Sequence, residues 1–102
     1  MNSFEKIYKI VSLIPKGKVL TYKIVSNICG LNNPRIVGFA MHANKNIIKV
    51  PCHRVVGSNG KLTGYARGGT AKKREILKSE GVKFLDIDTV DLKKSLYKPS
   101  SF

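Results

Sequence analysis

The chain has 102 residues and a formal net charge of +13, from 19 Lys and Arg against 6 Asp and Glu. That length allows one domain, since so short a chain buries only about two-thirds of its unfolded surface. With 42% hydrophobic residues, disorder driven by composition is excluded. No apolar run is long enough to span a bilayer. The opening Met1-Asn2-Ser3-Phe4-Glu5 lacks the basic start and apolar core of a signal peptide. Two cysteines are too few for a disulfide framework, so reduced thiols in a cytosol are expected.

The charge sits in the body of the chain. Residues 1–81 carry 15 basic and 3 acidic side chains, whereas residues 82–102 carry 4 and 3. A folded domain so basic repels itself unless a polyanion is its normal partner, which points to nucleic acid; the alternative is a solvated basic surface with no partner.

Phe4, Ile7, Tyr8, Val11 and Ile14 recur at helical spacing, predicting a helix over 3–14 that stops at Pro15-Lys16-Gly17. Thr21 can cap a second helix carrying Ile24, Val25, Ile28 and Cys29 on one face, with Gly30 at its end. Asn33-Pro34 opens a third, reaching about Asn44. Three helices with the short turn Gly30-Leu31-Asn32 form a helix-turn-helix pattern. Ile47 to Val50 and Val55-Val56 are β-prone, and Ser58-Asn59-Gly60 before Lys61-Leu62-Thr63 reads as a hairpin turn, the wing. A last helix runs from a Thr70 cap to Gly81, and the tail has no assignment. The expected fold is mainly α: a small winged helix-turn-helix-like domain with a short β-hairpin wing.

Three residues break their local pattern. Gly38 lies on the exposed face of the third helix with Arg35, His42 and Lys45, opposite Ile36, Val37, Ala40 and Met41. Glycine there costs about 1 kcal/mol against alanine, and close approach of a phosphate backbone or groove wall would explain it; the alternative is a neutral, tolerated glycine. Asn44 falls among apolar positions, so its amide needs backbone partners; alternatively it is only a C-cap. Glu80 faces inward beside Ile76 and Leu77, at a helix end whose dipole disfavours it. It needs a buried cationic or hydrogen-bonding partner, and a purely structural ion pair would also satisfy it.

Pro51-Cys52-His53-Arg54 holds the chemistry. A thiolate is the nucleophile and an imidazole can take its proton. Adjacent side chains diverge, so a bridging water is the expected relay between Cys52 and His53. His53 then needs an acceptor on its other nitrogen, and Glu80 is the inward carboxylate able to serve. A zinc site from Cys29, Cys52, His42 and His53 lacks the usual ligand spacing. Cys29 reads as an inert core thiol.

Pro51-Cys52-His53-Arg54-Val55 resembles the active-site signature of the O6-alkylguanine-DNA alkyltransferases, or methylated-DNA–protein-cysteine methyltransferases. Further landmarks follow in the family's order: Pro15-x-Gly17-x-Val19-x-Thr21-Tyr22, Arg35-x-Val37-Gly38-x-Ala40-Met41, Asn44, Gly64-Tyr65, Gly68-Gly69 and Glu80-Gly81. The resemblance covers about residues 4–85 of a single 1–102 domain, leaving 86–102 without a role. It implies irreversible transfer of an alkyl group from O6 of guanine in double-stranded DNA to Cys52, once per molecule, without metal or organic cofactor. It places Cys52 as nucleophile, His53 as water-mediated base and Glu80 as orienting carboxylate. Tyr22 would crowd the 3′ phosphate and protonate the leaving guanine. Arg35 would fill the gap left by the everted base, with Gly38 and Ala40 against the minor groove. Asn44 would be a hinge beside the guanine pocket, lined by Val55, Tyr65 and the N–H of Ala66.

The resemblance spans only the family's DNA-binding and catalytic domain. The N-terminal domain, which carries zinc in some members, is missing, so no metal is expected. Ala66 stands where many relatives have serine, and Lys45 where proline follows the asparagine. A monomer is expected, in the cytoplasm with the nucleoid, or in a nucleus. The alternative from the same resemblance is a non-catalytic alkyltransferase-like protein that binds the lesion and recruits other factors, though such proteins lack the cysteine. A winged-helix regulator reading the major groove is a third reading, and it leaves the Cys-His pair and Glu80 without purpose.

Overall fold

Helices dominate the computed structural model, which describes residues 2–65 and 67–98. In chain order the described elements are α1 (Ser3–Val11), β1 (Leu20–Thr21), α2 (Tyr22–Ile28) and α3 (Pro34–Ala43). They continue with a 3₁₀ turn (Cys52–Arg54), β2 (Val55–Val56), α4 (Gly69–Ser79), β3 (Phe84–Asp86), β4 (Thr89–Val90) and α5 (Leu92–Ser95).

The first three helices start where side-chain oxygens can satisfy free N–H groups. Asn2 accepts from the Glu5 amide, Thr21 from Ile24 and Asn33 from Arg35, with Pro34 at the first position of α3. Helix α1 ends at Val11, earlier than the apolar spacing suggests. Ser12 caps it, and Leu13 and Ile14 continue in tighter turns onto the Ile10 and Val11 carbonyls. Ile14 is still buried, so the apolar stripe outlasts the α-helical bonding.

The turn between α2 and α3 is fixed from within. Gly30 and Asn32 adopt positive φ of 72° and 50°. The fully buried Ser26 accepts the Asn33 amide at 2.7 Å through its hydroxyl and the Leu31 amide at 2.9 Å through its carbonyl. Helices α1, α2 and α3 pack on one core that includes Ile7, Val11, Val25, Val37 and Met41.

Strand β2 pairs in parallel with β1, Leu20 opposite Val55 and Thr21 opposite Val56. Alternation along this short sheet splits its residues between two cores. Leu20 and Val55 belong to the three-helix core, while Val19 and Val56 join Leu62, Leu77, Val82 and Val90 in a second.

The winged, mainly helical class holds, but the hairpin lies elsewhere in the chain. Ser58-Asn59-Gly60 does turn the backbone, with the Gly57 amide donating to Lys61 and Gly60 to Gly57. Lys61 then bridges Thr89 and not Val55-Val56: the tight turn spends the Lys61 carbonyl on the Gly57 amide, and residues 60–62 run along 88–90 instead. The hairpin is β3–β4, in the segment that carried no assignment. Helix α4 begins at Gly69 with Gly68 as its cap, not Thr70, since Gly68 at φ 132° makes the reversal.

Replacing Ser26 by alanine strands the Asn33 amide in the core. Chemical denaturation is expected to show a loss of about 1–2 kcal/mol, with no change in helix content.

Candidate functional site

The 3₁₀ turn Cys52–Arg54 makes three consecutive side chains diverge, and each one meets a different surrounding. It is held by the Arg54 amide on the Pro51 carbonyl and the Val55 amide on the Cys52 carbonyl. Cys52, 7% exposed, faces a cavity of about 610 Å³. His53 and Arg54 turn away from it toward Glu80.

Glu80 sits between these two residues. Its oxygens lie 3.0 and 3.1 Å from His53 Nε2. Arg54 donates to both, from Nε at 3.0 Å and from a terminal nitrogen at 2.7 Å. The remaining Arg54 nitrogen donates to the Ile14 carbonyl at 2.8 Å. The Glu80 and His53 side chains are 10% and 9% exposed. Burial pushes the Glu80 carboxyl up, but the Arg54 hydrogen bonds and the charges of His53 and Arg54 together outweigh it, holding it below its ordinary value. For His53, burial leads and pushes its pKa below the ordinary 6.5; Arg54 and Lys73 add to this and Glu80 opposes it. With Nε2 committed to the carboxylate, Nδ1 is the nitrogen left to exchange a proton.

The cavity wall is built from α2, α3, α4 and the loop after β2. Tyr22, first residue of α2, shares a hydrogen bond of 2.7 Å with Thr63. Burial raises its phenol pKa, partly offset by that bond. Arg35 and Gly38 of α3, together with Tyr65, complete the rim and wall. A Cβ at Gly38 would meet nothing within 4 Å, so the protein's own packing does not require glycine there.

Asn44 closes α3 and fastens the next segment. Its Nδ2 donates to the Val50 carbonyl at 2.7 Å, and its Oδ1 accepts from the Asn46 amide at 3.0 Å. At 6% exposed, it is both the C-cap and the buried tie between α3 and the Cys52 turn. Arg67 adds a bond of 3.1 Å to the Asn44 carbonyl.

The chain matches the family "6-O-methylguanine DNA methyltransferase, DNA binding domain" over residues 2–82. It belongs to that family. Over 77 residues it is 43% identical to a methylated-DNA–protein-cysteine methyltransferase of Candida albicans and 46% identical to that of Saccharolobus islandicus. Each match covers 76% of this chain, and 43% and 49% of the relatives; the chain thus spans about half their length. Among solved structures it is similar to S. pombe Atl1 in complex with damaged DNA containing O6-carboxymethylguanine, with a TM-score of 0.79, 30% identity and 94% of both chains covered. It is also similar to Mycobacterium tuberculosis OGT in complex with DNA, with a TM-score of 0.74, 38% identity, and 79% of this chain and 50% of that one covered.

Against the family pattern, the structure brings Cys52, Tyr22, Arg35, Gly38 and Tyr65 to one cavity and places His53 and Glu80 in contact behind it. Three expected positions are corrected. Ala40 is fully buried, with its carbonyl accepting from Tyr8 at 2.8 Å, so its side chain cannot meet DNA. Val55 is fully buried in the three-helix core and does not line the cavity. Asn44 is also off the cavity wall, its amide spent on backbone. Ala66 lies outside the described residues.

The sequence reading missed Lys73 and Arg54. Lys73 lines the cavity yet is 1% exposed, with Nζ donating to the Val55 carbonyl at 2.7 Å and lying 5.8 Å from the Tyr22 ring centre. Burial pushes its pKa down to about 8, against an upward pull from the Cys52 charge. A lysine four residues before Leu77 on α4 carries the signal, because i and i+4 share a helix face. Arg54 was in view in the signature, but its destination depended on the fold.

The depressed pKa values of His53 and Glu80 make the fold acid-labile, because the unfolded chain binds their protons more readily. Stability is expected to fall as pH drops below about 6.5, where unfolded His53 protonates, and again below about 4.5 from Glu80. Urea titrations at stepped pH check this: His53→Gln removes the first decline and Glu80→Gln weakens the second.

Proposed function

We propose that this protein repairs DNA by taking an alkyl group from O6 of guanine onto Cys52, in a single turnover and without a cofactor. The observation that carries this reading is the joint placement of Cys52 in the cavity of the α3 surface and of His53–Glu80 behind it. In the proposed step the thiol loses its proton through a water to His53 Nδ1, while Glu80 holds Nε2 and stabilises the imidazolium. Sulfur attacks the O6-alkyl carbon, the carbon–oxygen bond breaks, and guanine leaves with a proton from Tyr22. The resulting thioether does not hydrolyse, so the protein is consumed. The Lys73 ammonium lies in the same cavity wall as Cys52.

Damaged guanine must leave the stack to reach Cys52. Arg35 stands at the cavity rim to occupy the vacated space, and Gly38 lets α3 approach the minor groove. The net positive charge supplies phosphate binding with little sequence preference, as a lesion scanner needs.

A second reading is favoured by one observation, the likeness to Atl1 over 94% of both chains: a protein that binds the lesion without transfer. Intact-mass measurement after mixing with a duplex containing O6-methylguanine separates the two. One added CH₂ on Cys52, absent in Cys52→Ala, is expected. Unchanged mass with retained lesion binding would select the second reading.

Gly38 offers a sharper check on α3. Gly38→Ala is expected to raise stability by up to about 1 kcal/mol, since helix propensity improves and the Cβ meets nothing. The same change should weaken duplex affinity while leaving transfer from free O6-benzylguanine unaltered. Arg35→Ala should likewise slow repair in duplex more than transfer from the free base; equal losses would contradict a role in extrusion.

A further inference from the structure

The segment 83–98 lies beyond the family match, which ends at residue 82, yet it is stitched to the loop that forms one wall of the cavity. The Leu62 amide donates to the Asp88 carbonyl and the Val90 amide to the Gly60 carbonyl, each at 2.8 Å, with Lys61 bridging Thr89. Residues 60–62 thus act as a third strand on β4, and Thr63, the next residue, holds the Tyr22 hydroxyl. We propose that the β3–β4 hairpin is a brace that sets the position of Thr63 to Tyr65, and through it how tightly the cavity holds an alkylated guanine. The proposal rests on the reading of this cavity as the guanine site.

Three further features make the brace rigid. Leu62 and Val90 are buried together in the second core, against which Phe84 and Leu92 pack. The segment is fixed at its far end, where the Val19 amide donates to Ser95 and the Tyr97 amide donates to Val19. Arg74 of α4 reaches Asp88 in the hairpin turn at 3.5 Å. Gly60 allows the close approach: at φ +83°, any Cβ would be driven into the Val90 carbonyl oxygen. Any side chain at Gly60 therefore pushes the hairpin off the loop. Gly81 supplies the control, since its φ of +93° is equally unfavourable for alanine but a Cβ there meets nothing within 4 Å.

The test compares Gly60→Ala with Gly81→Ala in the full chain, using free O6-benzylguanine as the probe. Gly60→Ala is expected to raise the concentration that half-saturates transfer by about tenfold, whereas Gly81→Ala leaves it unchanged even where it lowers stability equally. The rate of Cys52 modification by iodoacetamide and the affinity for undamaged duplex should match wild type in both. Hydrogen exchange at amides 60–65 should quicken in Gly60→Ala alone, which reads the brace without any transfer. If Gly60→Ala does not fold, Asp88→Ala, which cuts the Arg74 tie, should give the same pattern at about threefold. Equal half-saturation and exchange in variant and control would overturn the brace. Quickened exchange in a protein whose wild type neither alkylates Cys52 nor binds the lesion would uphold the brace and sink the guanine reading.

Discussion

A carboxylate gripped by an arginine and an imidazole decides the layout of this molecule. Glu80 ends α4, where the helix dipole opposes it, and is largely out of water. It can stay ionised there only because Arg54 donates to both oxygens and His53 lies against them. That requirement draws the Cys52–Arg54 turn onto the end of α4. The third Arg54 bond, to Ile14, ties the same knot to the segment after α1. Three parts of the chain distant in sequence therefore converge on one ion cluster, and Cys52 is presented on its other side.

The cluster also separates two tasks. A carboxylate already holding bidentate arginine is a poor proton acceptor, so in the proposed reaction Glu80 serves as fixed charge and orienter, and proton exchange is left to the imidazole. Burial keeps that imidazole neutral to lower pH than usual, which suits a base. Lys73 adds a positive charge on the sulfur side of the turn, with the Val55 carbonyl as its acceptor.

Much of this could be read before any coordinates. Glu80 announced itself as an acid on an apolar face, and Asn44 as an amide among apolar positions; both found the kind of partner their burial demanded. Such residues are legible because their cost is local and their remedy must be specific. The Arg54 grip and the Lys73 bond were not legible, because a long cationic side chain is at home on any surface and its burial depends on which elements enclose it. The hairpin was misplaced for a similar reason. Turn chemistry at Ser58-Asn59-Gly60 fixes that the chain reverses, but not which distant strand the returning segment joins, and here residues 60–62 join β4. The buried positions of Ala40 and Val55 mark a limit of motif transfer, since neighbours within a signature can point in opposite directions.

The parallel pairing of β1 with β2 carries one more consequence. Thr21, which starts α2 and so aims Tyr22, lies beside Val56, and Leu20 beside Val55, directly after the reactive turn. Tyrosine and sulfur are thereby mounted on one miniature chassis, fixed between two cores. The exposed residues of α3 are bolted to that chassis from outside, through Asn44 and the core. On the proposed function, substitutions along the outer face of α3 retune which duplexes are gripped while the thiol keeps its setting, and recognition then drifts separately from alkyl transfer.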